Sequence, residues 1–108
     1  MSPHELVAER SLALHAAVAE RLRGDPTLIE LARERVRSWQ ALGTVADPYA
    51  DAWAALLAGP LSELETALAE RSERMHDLRQ VSPFAGILDA RTRWRIHRDV
   101  GARRHAAR

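Results

Sequence analysis

The chain has 108 residues, 46% of them apolar and 29% charged, with no cysteine and a formal net charge of +1. That length suits one domain with a modest core, and that composition excludes a wholly disordered chain. Disulfide frameworks, thiolate nucleophiles and sulfur-ligated zinc drop out with cysteine. No apolar run reaches the roughly 20 residues of a membrane span, and Ser2, Pro3, His4 and Glu5 do not open a secretion signal, so a cytoplasmic protein without membrane contact is expected.

Ser2, Pro3 and Glu5 combine an N-cap, a first-turn proline and a capping-box acid, so a helix is predicted to start there. Leu6, Val7, Leu14, Val18 and Leu22 return on one face of it as far as about Arg23, and Gly24 is expected to end it in the left-handed conformation. Asp25 and Pro26 cap a second helix whose apolar face is Leu28, Ile29, Ala32, Val36 and Trp39. Glu30, Glu34, Arg33, Arg35 and Arg37 are expected on its mixed-charge outer surface, and Gly43 closes it.

Asp47 and Pro48 repeat the cap signal for a third helix carrying Tyr49, Trp53, Leu56 and Leu57. Gly59 and Pro60 break that run. Leu61, Leu64, Leu68, Met75 and Leu78 then predict one further helix reaching Gln80. Ser82 and Pro83 introduce a single helical turn over Phe84 to Leu88, and Asp89 caps a last helix, with Trp94 and Ile96 set among arginines, that should fray from Gly101. The expected fold is all-α: a compact bundle of three to four main helices over residues 1–82, and a short helix with a basic C-terminal helical arm over 83–108, in one domain.

All sixteen basic residues are arginine. Residues 1–88 hold nine of them against thirteen acids, net −4, while 89–108 hold seven against Asp89 and Asp99, net +5. A basic arm on an acidic body is therefore hidden behind a near-neutral total.

The five histidines, His4, His15, His76, His97 and His105, form no metal-ligand pair at helical spacing, so no metal or cofactor is expected. His15, amid Ala and Leu, reads as a half-buried packing residue. Ser2, Ser62 and Ser82 sit at caps or turns with no Gly-x-Ser-x-Gly context and no obvious base beside them, and there is no Gly-rich phosphate loop. Paired acids such as Glu63 and Glu65 read as solvated surface. A non-catalytic protein is expected.

Trp39 and Trp53 flank a loop and read as core or junction residues. Trp94 has little in its own helix to bury it, so it either packs on the body or projects as an anchor. Residues 83–104 are expected to form the partner-binding element, with Phe84 and Trp94 as anchors. Arg91, Arg95 and Arg98 are the expected charge contacts, sharing one face by their i, i+4, i+7 spacing. Two partners suit it: an acidic protein cleft, or a nucleic acid met also by Arg93, Arg103 and Arg104. Without a partner, the arm is an Arg-rich helix lying over the bundle. Self-assembly, with the arm on a neighbour's acidic body, is a further alternative, and no helix-turn-helix is evident.

The phrases Arg10-Ser11-Leu12-Ala13-Leu14-His15, Ala58-Gly59-Pro60-Leu61, Leu78-Arg79-Gln80-Val81-Ser82-Pro83-Phe84-Ala85-Gly86-Ile87-Leu88 and Arg93-Trp94-Arg95-Ile96 resemble a group of small helical bacterial proteins. That group belongs to toxin–antitoxin gene pairs, notably those whose toxin is a nucleotidyltransferase. The resemblance spans most of the chain and implies an antitoxin that inhibits its partner enzyme. It transfers no catalytic residue, because in such a pair the chemistry is the toxin's.

Overall fold

The computed structural model describes residues 2–106, with side chains as far as Arg103. It is all-α: α1 (Pro3–Gly24), α2 (Ile29–Leu42), α3 (Asp47–Ala58), α4 (Leu61–Ala69), α5 (Glu73–Gln80) and α6 (Ala90–Ala106), with a 3₁₀ turn at Pro26–Leu28 before α2. The 22-residue α1 is the spine. It carries α4, α5 and α6 along its length, while α2 packs chiefly on α3 and α3 meets α4.

Side-chain caps open some of the helices and not others: Asp47, expected to cap the third helix, is instead its first residue, and Ala46 precedes it with no side-chain cap. Ser2 Oγ accepts the Glu5 N–H at 3.1 Å and opens α1. Asp25 Oδ1 accepts the Thr27 N–H at 3.2 Å and opens the 3₁₀ turn. Gly43, at φ 66°, closes α2 by donating its N–H to the Trp39 carbonyl. Gly24 departs from expectation. It stays helical, and Asp25 at φ −145° ends α1 with an extended turn, so no left-handed residue is needed.

The single helix expected from Leu61 to Gln80 is two. α4 stops at Ala69 and Ser72 recaps the chain, its Oγ accepting the Met75 N–H at 3.2 Å. The break is held open by Arg79, only 5% exposed, whose Nη1 donates to the Leu68 and Glu70 carbonyls at 3.3 and 2.7 Å. A guanidinium thus occupies carbonyls that a continuous helix would have bonded itself. Arg33 and Arg35 act alike and are not the surface decoration expected of them. Arg33 donates from Nε and Nη2 to the Leu57 carbonyl at the end of α3, and Arg35 donates from Nη1 to the Ala85 carbonyl at 2.8 Å.

Residues 82–88 form a turn and no helical turn. Ile87 N–H closes on the Phe84 carbonyl at 3.1 Å, with Gly86 at φ 87°, a backbone shape glycine adopts without strain. The turn drives Phe84 and Ile87 into the core beside Trp53, Leu57, Leu64 and Leu78. α6 does not fray at Gly101 either. It runs on to Ala106 with Val100 buried, and the end of the Arg10 side chain lies beside Gly101.

Trp53 is fully buried, donates Nε1–H to the Leu78 carbonyl at 3.2 Å, and meets the Phe84 ring edge-on at 5.5 Å between centroids. Phe84 in turn meets His15 edge-on at 5.9 Å. Replacing Phe84 with Ala empties the middle of this series and is expected to cost about 3–5 kcal/mol of unfolding free energy, read from the urea midpoint. A cost below ~1 kcal/mol would contradict the central place given to the ring.

Candidate functional site

The expected partner-binding residues part company in the structure. Phe84 is 4% exposed and belongs to the core, so as a surface anchor it is corrected: the Gly86 turn points its ring inward at Trp53. Trp94 does the opposite. It is 65% exposed, with its ring stacked on His97 at 5.9 Å between centroids and 13° between planes.

Why Trp94 faces out follows from the inward register of α6. Val100 is buried and Ile96 half-buried against α1, and at 100° per residue Arg91, Arg95 and Arg98 fall on the opposite side with Trp94 on its flank. All three arginines are exposed. Among the described residues the one ion pair made by α6 is Arg98 Nε to Asp99 Oδ1 at 3.9 Å, between neighbours that are both solvated. Asp89 is engaged as the cap: its Oδ1 accepts the Thr92 N–H at 2.7 Å. That bond, with the Thr92 hydroxyl and the fields of Arg91 and Arg95, holds the carboxyl below its ordinary range. The side chain of Arg104, expected among phosphate contacts, lies outside the described residues.

A second feature lies behind α6. A cleft of about 450 Å³ opens between α1, the end of α5, the Ser82–Leu88 turn and the first half of α6. Its walls are mainly apolar, with Val7, Leu14, Phe84 and Leu88 among them, which explains why Val7, expected in the core, is 51% exposed. Arg10, Arg79 and Arg93 also line it, with His15 and His97, and no carboxylate does. Nothing in the sequence marked this cleft, because its cations come from three separate helices.

His15 is also more than a packing residue. Its Nδ1 lies 2.7 Å from the Ser11 carbonyl and its Nε2 lies 2.8 Å from Ser82 Oγ. A carbonyl can only accept, so Nδ1 carries the proton and Nε2 accepts from the Ser82 hydroxyl. Ser82, read from sequence as a serine with no base beside it, therefore has one, 67 residues away in the chain. Its oxygen also accepts the Phe84 N–H at 3.3 Å and the imidazole is 5% exposed, an arrangement that ties the turn to α1. Among the described residues no cluster of three or more His, Asp or Glu is placed to hold a metal ion, and no helix is long and apolar enough to cross a membrane.

Set against family models, curated proteins and solved structures, the chain matches none.

The buried imidazole gives a pH signature. Its pKa is held below the ordinary value, first because burial penalises the imidazolium and then through the charge of Arg79, with the Ser11 bond opposing. Above about pH 6.5 neither folded nor unfolded chain is protonated at this ring and the full stability is present. As pH falls below that value the unfolded chain takes up a proton that the folded chain refuses, so stability declines. The urea midpoint of the wild type should drop between pH 8 and pH 5.5 by more than that of His15→Gln. Equal drops would show that the ring is not held neutral. Glu9 and Asp89, both lowered, titrate well beneath this window.

Proposed function

We propose that this is a cytoplasmic binding protein that uses the outer face of α6 to dock on an acidic protein surface, and that it acts as an antitoxin-like inhibitor of a partner enzyme. The observation that carries the reading is a largely exposed Trp94 beside exposed Arg91, Arg95 and Arg98, on a helix whose other face is fixed to α1. A tryptophan left in water forgoes the transfer free energy its burial would supply, and Trp with Arg is the pairing most enriched where protein interfaces concentrate their energy. Guanidinium groups suit paired contacts with carboxylates.

The resemblance to bacterial antitoxins gives the partner its identity in this reading: a nucleotidyltransferase-type toxin, whose metal-binding carboxylates and phosphate-shaped cleft an arginine face can fill in place of substrate. The body of the chain supports it by holding the face in place, so the docking surface is formed before the partner arrives and the ordering cost is already met within the fold.

Because α6 covers part of α1, deleting it would disturb the body, and surface substitution is the cleaner test. The chain would be expressed together with the product of the reading frame that adjoins its gene, expected on this reading to be a nucleotidyltransferase, with Trp94→Ala, Arg91→Glu, Arg95→Glu and Arg98→Glu combined in a second version. The native chain should co-purify with the enzyme and suppress nucleotide transfer. The fourfold variant should melt within a few degrees of the native chain yet weaken inhibition at least a hundredfold. Undiminished inhibition by the variant overturns the assignment. A salt-sensitive shift of RNA by the native chain, lost in the variant, would move the face to nucleic acid, and salt-dependent light scattering of the chain alone would move it to self-assembly.

A further inference from the structure

The cleft between α1 and α6 has a chemistry of its own, independent of the proposed partner. Three features coincide there. It is large enough for a small organic molecule, most of its wall is apolar, and every ionisable side chain on its wall is basic. The last point runs against the surroundings, since residues 1–88 carry a net charge of −4.

The arginines are also incompletely used. Arg79 is 95% buried, as its 5% exposure implies, and spends Nη1 on two carbonyls, yet its Nε is buried with no acceptor. Arg10 Nε is likewise buried without an acceptor, while its Nη2 runs beneath α6 beside Gly101. Both Nε atoms are enclosed by protein, so a molecule in the cleft would meet Arg10 through its terminal guanidinium nitrogens, none of which is paired with a carboxylate. Arg93 adds an exposed cation at the α6 edge, next to His97. The Glu9 carboxylate, the nearest alternative on α1, is engaged elsewhere by Arg71 at 2.6 Å.

We infer that this cleft is a binding site for a small amphipathic carboxylate, its head accepting from Arg10 and Arg93 and its hydrocarbon part lying on Leu14, Phe84 and Leu88. A carboxylate head supplies the counter-charge that the cleft's own wall, with no acidic side chain, lacks. An apolar tail removes from water the side chains of Val7, Leu14 and Leu88, which the fold leaves partly uncovered. A purely inorganic anion would leave those walls wet, and a neutral hydrocarbon would leave the basic lining without a counter-charge.

Decanoate, kept below its micelle concentration, is the probe. Titrated into the full chain and followed by calorimetry and by amide NMR shifts, it should bind one to one, with the largest shifts at Ser11, Leu14, Ala85 and Gly86. Decanol and decyltrimethylammonium should bind at least tenfold more weakly, as should inorganic phosphate. Arg93→Gln, at an exposed position that leaves the fold intact, should weaken decanoate about tenfold, the size expected for one charge-assisted hydrogen bond. Arg10→Gln should do the same with an unchanged circular dichroism spectrum. Equal affinity for decanol and decanoate, shifts centred away from the cleft, or no saturable binding would each overturn the assignment. Indifference of the affinity to both arginine variants would do so as well.

Discussion

The placing of α6, and with it both surfaces of interest, depends on the contact series that runs from Trp53 through Phe84 to His15. Trp53 ties α3 to the last turn of α5 through the Leu78 carbonyl, Phe84 brings the turn after α5 against that indole, and His15 ties the same turn to α1 through Ser82. The turn is the only covalent route into α6, so its seat in the core fixes where α6 starts. Edge-on aromatic pairs and one buried hydrogen-bonded imidazole give this seat a direction that apolar contact alone would not.

Arginine does several separate jobs in this chain, and total arginine content says little about them. Arg33, Arg35 and Arg79 reach carbonyls at helix ends or turns that would otherwise lack donors, knitting α2 to α3, α2 to the Phe84 turn, and α5 to the end of α4. Arg23 and Arg71 pair with Glu65 and Glu9 at the exposed margin, where solvent screening leaves such pairs little weight in stability. The arginines of α6 that face solvent do neither. That division is what makes the outer face of α6 stand out: its charges have no structural duty within the described chain.

α6 thus has two sides divided by its own periodicity. Its inner side supplies Val100 and Ile96 to α1. Its outer side presents Trp94 and arginines, and the margin between them, at Arg93 and His97, forms one wall of the cleft.

Local chemistry was enough to read the all-α class, the caps at Ser2 and Asp25, the stop at Gly43 and the break at Gly59–Pro60, because each depends on residues within one turn of one another. The common face of Arg91, Arg95 and Arg98 was equally legible, since three-to-four-residue spacing places residues on a helix face without knowledge of the rest. What the tertiary structure alone decided is everything that joins distant segments. It sent Phe84 inward and Trp94 outward, divided the expected 61–80 helix at Glu70–Ser72 by means of Arg79, and set His15 against Ser82. It also gathered Arg10, Arg79 and Arg93 around one cleft. Periodicity assigns a side chain to a face, but which face meets protein and which meets water is fixed by packing between elements, and that information is spread over residues tens of positions apart.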